Sequence, residues 1–230
     1  MFDVSLYGNI TFDRIINKEL TDNTVGSIGN VWRYLNYINP KLKINLQPTD
    51  FGEALILINE DTAERASTTN MSLYNRKPKI QKSKWNHIAY LNQIQDLSFI
   101  SKINTGVISA DICRGNHLQD IDVLKEINYL FLADEDIFMD IADIVNLVKD
   151  GLILHHSGGS SCFIKNMSSF NTEVDVLENI NVLGCGDMFV SFFINGYLDS
   201  NNFKQSIQNS HNSVTDYLKR EIKRKSHEKN

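Results

Sequence analysis

NVLGCGDMFVSFF, residues 181–193, joins a small-residue turn to an apolar segment of helix length. Gly184, Cys185 and Gly186 form the turn, and Asp187 closes it. The first turn of a helix presents backbone N–H groups with no intrahelical partner, together with the positive end of the macrodipole. Glycines there let a ligand approach closely, so such a turn can cradle a phosphate or a developing oxyanion. Asp187 beside that cradle can hold a substrate hydroxyl and accept its proton as it attacks phosphorus. It can equally be a helix N-cap, where Asp is favoured. The tetrapeptide leaves both readings open.

Outward from the turn, strand-like runs alternate with helical patterns. FDVSLYG reads as a strand stopped by Gly8. GNVWRYLNYI places Val31, Tyr34, Leu35 and Ile38 at helical spacing and ends at Asn39-Pro40. EALILINED is a nearly continuous apolar run, as a buried strand requires. WNHIAYLN, TGVISADI and INYLFLAD read as further strands. The stretch from Leu91 to Ser101, LQDIDVLKEI and DIFMDIADIVNLVKD read as helices. GLILHHSGGSSCFIKN predicts two strands around a Gly-Ser turn, and two helices follow, at roughly 185–198 and 203–222. This alternation predicts an α/β fold with a mostly parallel sheet, which places ligands at the carboxyl ends of its strands. A single domain over 1–230 accommodates the pattern, and the charged tail at 221–230 predicts a frayed helix end.

Composition removes several functions. A net charge of −5 argues against nucleic acid as a partner, since phosphate neutralisation calls for a basic face. Cys113, Cys162 and Cys185 are far apart and form no CxxC pair, which fits a reducing compartment without a thiolate metal site. MFDVSLYGNI lacks the pattern of a secretion signal, and no apolar run nears the ~18–20 residues that span a bilayer. The expectation is a cytoplasmic protein with no membrane association.

NVLGCGDMF also resembles the signature of the ribokinase-like carbohydrate and nucleoside kinases. Gly184, Gly186, Asp187 and Phe189 match it, Cys185 replaces a small Ala, and Asn181-Val182 replace Asp-Thr. Other segments follow in the family's order. GNITFDRI is similar to its first strand-end motif, with Asp13 at the hydroxyl-binding position, and VGSIGN to its Gly-Gly-x-x-x-Asn stretch, keeping Gly26 and Asn30. EALILINEDTAERAST resembles the passage leading to an Arg, here Arg65, and VISADICRG the passage carrying Asp111 and Arg114. ILHHSGGSSCFI is similar to the nucleotide-side hairpin, with Gly158 kept and His156 and Ser161 substituted.

The resemblance implies a three-layer α/β/α fold with a mostly parallel central sheet. It implies ATP-dependent phosphorylation of a hydroxyl on a small sugar-like or nucleoside substrate, with Mg²⁺ on the donor phosphates. Asp187 would be the base, and the N–H groups of Gly184, Cys185 and Gly186 the anion hole. Asp13, Asn9, Gly26, Asn30 and Arg65 would hold the acceptor, and His156, Ser157, Gly158 and Gly159 the nucleotide. Asp136, in LADEDIF, stands where the family has a Glu that organises magnesium, and Ala133 where it has Asn. Only NPKLKINLQPTDFG lies between the first helix and EALILI, where members have another strand and helix, so a reduced lid is expected over roughly 50–85. Exposed strand edges on such a lid would call for cover, and pairing as a homodimer would supply it. The same departures leave open a non-catalytic relative that binds a nucleotide or metabolite.

Overall fold

The computed structural model describes residues 1–17, 21–59, 65–72, 76–113, 118–177 and 182–228, without the side chains of Arg65 and of 224–228. The first strand, β1 (Phe2–Ile16), runs through Gly8 instead of stopping there. Gly8 has φ 147°, and a Cβ on it would meet the Ala89 carbonyl oxygen at 2.7 Å. Just past it the register of β1 slips against β3 (Ile44–Ile58). Gly8 is therefore a bulge and not a strand end. Pro48 lies opposite it, where the interrupted ladder tolerates a residue with no N–H.

INLQPTDF (44–51) is a second departure from the sequence reading. It is the first part of β3, continuous with EALILI and parallel to β1. Between β1 and β3 the chain returns as β2 (Thr21–Ser27), antiparallel to the far half of β1, and then as α1 (Ile28–Ile38).

The remaining strands are β4 (Arg65–Met71), β5 (Ser83–Ile88), β6 (Val107–Asp111), β7 (Tyr129–Ala133), β8 (Gly151–His156), β9 (Gly159–Ile164) and β10 (Phe170–Glu173). Among the described residues they form one sheet, ordered β10-β9-β8-β7-β6-β5-β1-β3-β4, with β2 on β1. The six central strands, β3, β1, β5, β6, β7 and β8, are mutually parallel, and antiparallel pairs close both edges. Their carboxyl ends therefore share one rim, where Asp111, Ala133 and His156 stand.

Alternation along β7 shows why the sheet needs cover on both faces. Tyr129 and Phe131 join one core with Val4, Leu6 and Trp85, under α1, α3 (Cys185–Ser200) and α4 (Phe203–Glu228). Leu130 and Leu132 join the other, under short 3₁₀ turns and α2 (Ile141–Leu147). Three expected helices are reduced on that second face. Residues 91–101 hold 3₁₀ turns at Leu91–Gln93 and Ile100–Lys102, LQDIDVLKEI forms one at Ile121–Glu126, and DIFMDIADIVNLVKD keeps only the seven residues of α2. Leu91, Ile94, Ile100, Ile103, Val123, Leu124 and Ile127 are nevertheless buried. Short turns bury apolar residues every three or four positions as a helix does, so period alone does not separate them. α4 continues to Glu228, past residue 221 where the charged tail predicts fraying. No helix among the described residues is long and apolar enough to cross a membrane.

Beyond the sheet body, residues 10–16, 21–27, 52–58 and 65–71 pair as a four-stranded extension in the order β2-β1-β3-β4. The expected lid stretch, 50–85, thus supplies β4 and the far half of β3, while β1 and β2 supply the rest. Ala54, Ile56 and Ile58 cluster with Ile15 and with Leu183, the residue before the Gly184 turn. Phe12, Leu55 and Leu57 are exposed.

Candidate active site

Asp187 lies in the first turn of α3 and is only 3% exposed. Gly184 is the N-cap in the left-handed region, φ 76°, and its carbonyl accepts the first intrahelical bond from Met188 N–H at 3.0 Å. A side chain on Gly186 would meet nothing within 4 Å, so the turn is open on that side. One part of the expected anion hole differs. Cys185 N–H turns back to the Val182 carbonyl at 3.0 Å, because the turn closes on itself before the helix begins. Gly186 and Asp187 are left as the first-turn N–H groups without intrahelical acceptors.

The carboxylate of Asp187 is gripped from outside its own helix. Asn30 Nδ2 donates to Oδ2 at 2.9 Å, joining two sequence motifs 157 residues apart. The Tyr90 hydroxyl donates to Oδ1 at 3.4 Å. Tyr90 itself is held at φ 55°, and its N–H donates to the Asp111 carboxylate. Asp111 ends β6, and its Oδ2 lies 3.5 Å from His87 Nε2. Ser27, the N-cap of α1, has φ 53°. Two of the three non-glycine residues with positive φ among the described residues therefore flank this cleft, and backbone strain of this kind concentrates at functional sites.

Burial, and next the carboxylate of Asp111, push Asp187 up to about 8, against the lowering pull of Asn30 and Tyr90. Asp13 adds to the rise. The charge of Asp187 and burial hold the Tyr90 phenol well above its ordinary value, so it remains a donor. Asp13, 8% exposed, is also raised by burial, and its Oδ1 accepts no hydrogen bond from the described residues. The Ser27 hydroxyl is likewise buried without a partner among the described residues. Both are polar atoms that a ligand would satisfy.

Gly26 is paired with Thr11 across the β1–β2 ladder. A Cβ on it would stand 2.2 Å from Thr11 Oγ1 and 2.5 Å from Asp13 Oδ2. Gly26 thus stands against Asp13, and Asn30 bonds Asp187, whose proton affinity Asp13 raises. Asn9 is differently employed, donating to Gln93 O at 3.3 Å and accepting from Thr49 at 2.7 Å across the bulge. Arg65 begins β4, with its side chain outside the description; Arg114 and Asn181 lie outside the described residues.

His156, Ser157, Gly158 and Gly159 form the tight connection between β8 and β9, with Gly158 at φ 84°. His155 and Phe189 rings, 4.3 Å apart, pack that hairpin against α3 two residues beyond Asp187. Ser160 Oγ bonds both His155 Nδ1 and His211 Nε2. Burial pushes His155 down to about 3 and His211 to about 4, so both are neutral. Asp136 is half-buried in a 3₁₀ turn following β7, on the carboxyl rim. No group of three His, Cys, Asp or Glu side chains among the described residues is placed to hold a metal ion. One carboxylate with bound water fits Mg²⁺, which keeps several waters and takes few protein ligands.

Sequence reasoning missed Tyr90 and the Asp187–Tyr90–Asp111 connection. The available signal was position, since Tyr90 stands two residues past the carboxyl end of a parallel strand, β5.

No family model matches the chain, and no curated protein matches it by sequence. Solved structures do match by shape. Ribokinase from Thermotoga maritima superposes with a TM-score of 0.73 at 12% identity, covering 93% of this chain and 92% of that one. A pyrophosphate-dependent kinase in the ribokinase family, solved as a sulfate complex, gives 0.72 at 9% identity, covering 94% and 95%. Burkholderia thailandensis nucleoside kinase in complex with inosine gives 0.69 at 14%, covering 90% and 88%. The chain has the ribokinase-like α/β fold.

Proposed function

We propose that the chain is a kinase that transfers a phosphoryl group from ATP to a hydroxyl of a sugar, sugar derivative or nucleoside. The observation that carries this reading is the buried Asp187–Asn30 hydrogen bond at a glycine turn, with the carboxyl of Asp13 close enough to raise the proton affinity of Asp187. Asp13 and Asn30 hold the acceptor, and Asp187 in its ionised form takes the proton from the attacking hydroxyl. N–H groups of the α3 first turn stabilise the charge that builds on the transferred phosphoryl. The β8–β9 hairpin around His156–Gly159 faces the nucleotide. Bound Mg²⁺ would neutralise charge on the donor phosphates, and Asp136 would help to hold it. The ribokinase-like folds that superpose on this chain support the reading, and among them is a ribokinase complexed with ribose and ATP.

A non-catalytic nucleotide- or metabolite-binding role is the second reading. The inward-turned Cys185 N–H and an Asp187 that keeps its proton up to about 8 both favour it. Incubation with γ-labelled ATP, Mg²⁺ and a pooled small-metabolite extract separates the two. A new labelled compound, absent with Asp187→Asn, is the expected result. ATP binding with no labelled product from either protein would leave the second reading.

The extension also bears on assembly. Phe12, Leu55 and Leu57 are exposed on adjacent lid strands, and a second copy covering them makes a homodimer. Light scattering should then give twice the chain mass, and Leu55→Asp with Leu57→Asp should return it to the monomer mass.

A further inference from the structure

Arg33 lies on α1 one turn beyond Asn30, and no motif in the sequence draws attention to it. Its side chain is exposed at the cleft mouth yet held by three groups. Nη1 donates to Thr24 Oγ1 on β2 at 3.0 Å, and Nη2 donates to Asn30 Oδ1 at 3.2 Å and to the Tyr34 hydroxyl at 3.4 Å. The guanidinium also sits over the Tyr34 ring, 5.0 Å from its centroid. All three acceptors are neutral. Among the described residues no carboxylate pairs with Arg33, although Asp13, Asp111 and Asp187 lie close enough together to raise the Asp187 proton affinity.

Its position ties it to the chemistry. The Asn30 amide that accepts from Arg33 through Oδ1 donates to Asp187 through Nδ2. A guanidinium can only donate, so this pair of neighbours also fixes which way the amide points. Tyr34 Oη lies 3.5 Å from the point a Gly184 Cβ would occupy, so the guanidinium contacts the tyrosine that borders the glycine turn. Thr24, its third partner, is directly opposite Asp13 in the β1–β2 ladder. Arg33 thus bridges the acceptor strands and the turn where the phosphoryl group would sit. An arginine oriented by neutral groups, with no carboxylate to neutralise it, is a pre-organised receptor for an oxyanion.

We propose that Arg33 binds a phosphate-type oxyanion at the mouth of this cleft. The inference rests on the phosphoryl-transfer reading of the Gly184–Asp187 turn. Two sources carry that chemistry, the terminal phosphate of the donor and a phosphate ester already present on the acceptor.

Isothermal titration of the full chain, its Arg33→Gln and Arg33→Lys variants, and Asp187→Asn tests this with three probes: inorganic pyrophosphate, ATP with Mg²⁺, and glucose 6-phosphate. Arg33→Gln should weaken binding of at least one probe by about 10- to 100-fold, the range of a charge-assisted hydrogen bond. Arg33→Lys should lose less, because charge remains while the planar fork is lost. Loss confined to pyrophosphate and ATP identifies the donor as the source, and loss confined to glucose 6-phosphate identifies the acceptor. Equal affinities in the unmodified protein and Arg33→Gln, or no binding of any probe to the unmodified protein, overturn the proposal. Matching melting temperatures for the two proteins show that the loss is local. Because binding is read without turnover, Arg33-dependent binding in a chain that phosphorylates nothing would sink the kinase reading and keep this one.

Discussion

Asp187→Asn, under the proposed mechanism, cuts turnover by about 10²- to 10⁴-fold, the range a positioned general base supplies. Donor binding persists, because the first-turn N–H groups of α3 are backbone groups. Single-turnover phosphorylation beside ATP titration checks both halves. The substitution is close to isosteric, so Asn30 and Tyr90 keep a partner at residue 187. For the unmodified protein, burial and the nearby Asp111 mean that Asp187 gains its ionised form only as pH rises through about 8. The rate should rise across that interval, and this limb should vanish in the variant.

Stability should run the other way. An unfolded Asp187 loses its proton near 3.8, while the folded one keeps it to about 8, so the native state holds more protons across that window. Its contribution to stability is fully present below about 4 and falls as pH rises to about 8. Asn cannot ionise and escapes this decline. Melting curves at pH 5 and pH 9 should show Asp187→Asn gaining on the unmodified protein at the higher pH. A constant difference would mean that Asp187 is already ionised in the fold.

Gly26→Ala has the second largest expected effect. The new methyl would stand 2.2 Å from Thr11 Oγ1 and 2.5 Å from Asp13 Oδ2, so the Asp13 carboxylate must move. A displacement of about 1 Å in a positioning group costs on the order of 10²-fold in kcat/KM, and relief of the clash costs roughly 1–3 kcal/mol of stability. Acceptor KM should carry most of the kinetic loss, since Asp187 and its helix are untouched. Unchanged acceptor KM would remove Asp13 from the acceptor site.

How far each feature could be read from the chain depended on how local its cause is. The Gly184–Asp187 turn, the helices after it and the Gly-rich hairpin follow from neighbours within a few residues, where backbone freedom and N–H geometry act. The parallel core strands were legible because two-sided burial leaves continuous apolar runs. Gly8 misled, because a glycine that ends a strand and one that bulges it look alike until Ala89 and Pro48 are placed beside it. The 3₁₀ turns misled because burial against a sheet imprints a helix-like period on segments too short to be helices.

The order of the segments predicted the alternating layers, the glycine turn singled out Asp187, and the resemblance to the ribokinase-like kinases added Asp13, Gly26 and Asn30 as candidates. Tertiary structure alone decided that Asn30 holds Asp187, that Tyr90 and Asp111 stand beside it, and that Arg33 has no carboxylate partner among the described residues. Those relations set the protonation of the candidate base. They depend on burial and on charges brought within a few ångströms by strands and helices far apart in the chain, which no local pattern of residues encodes.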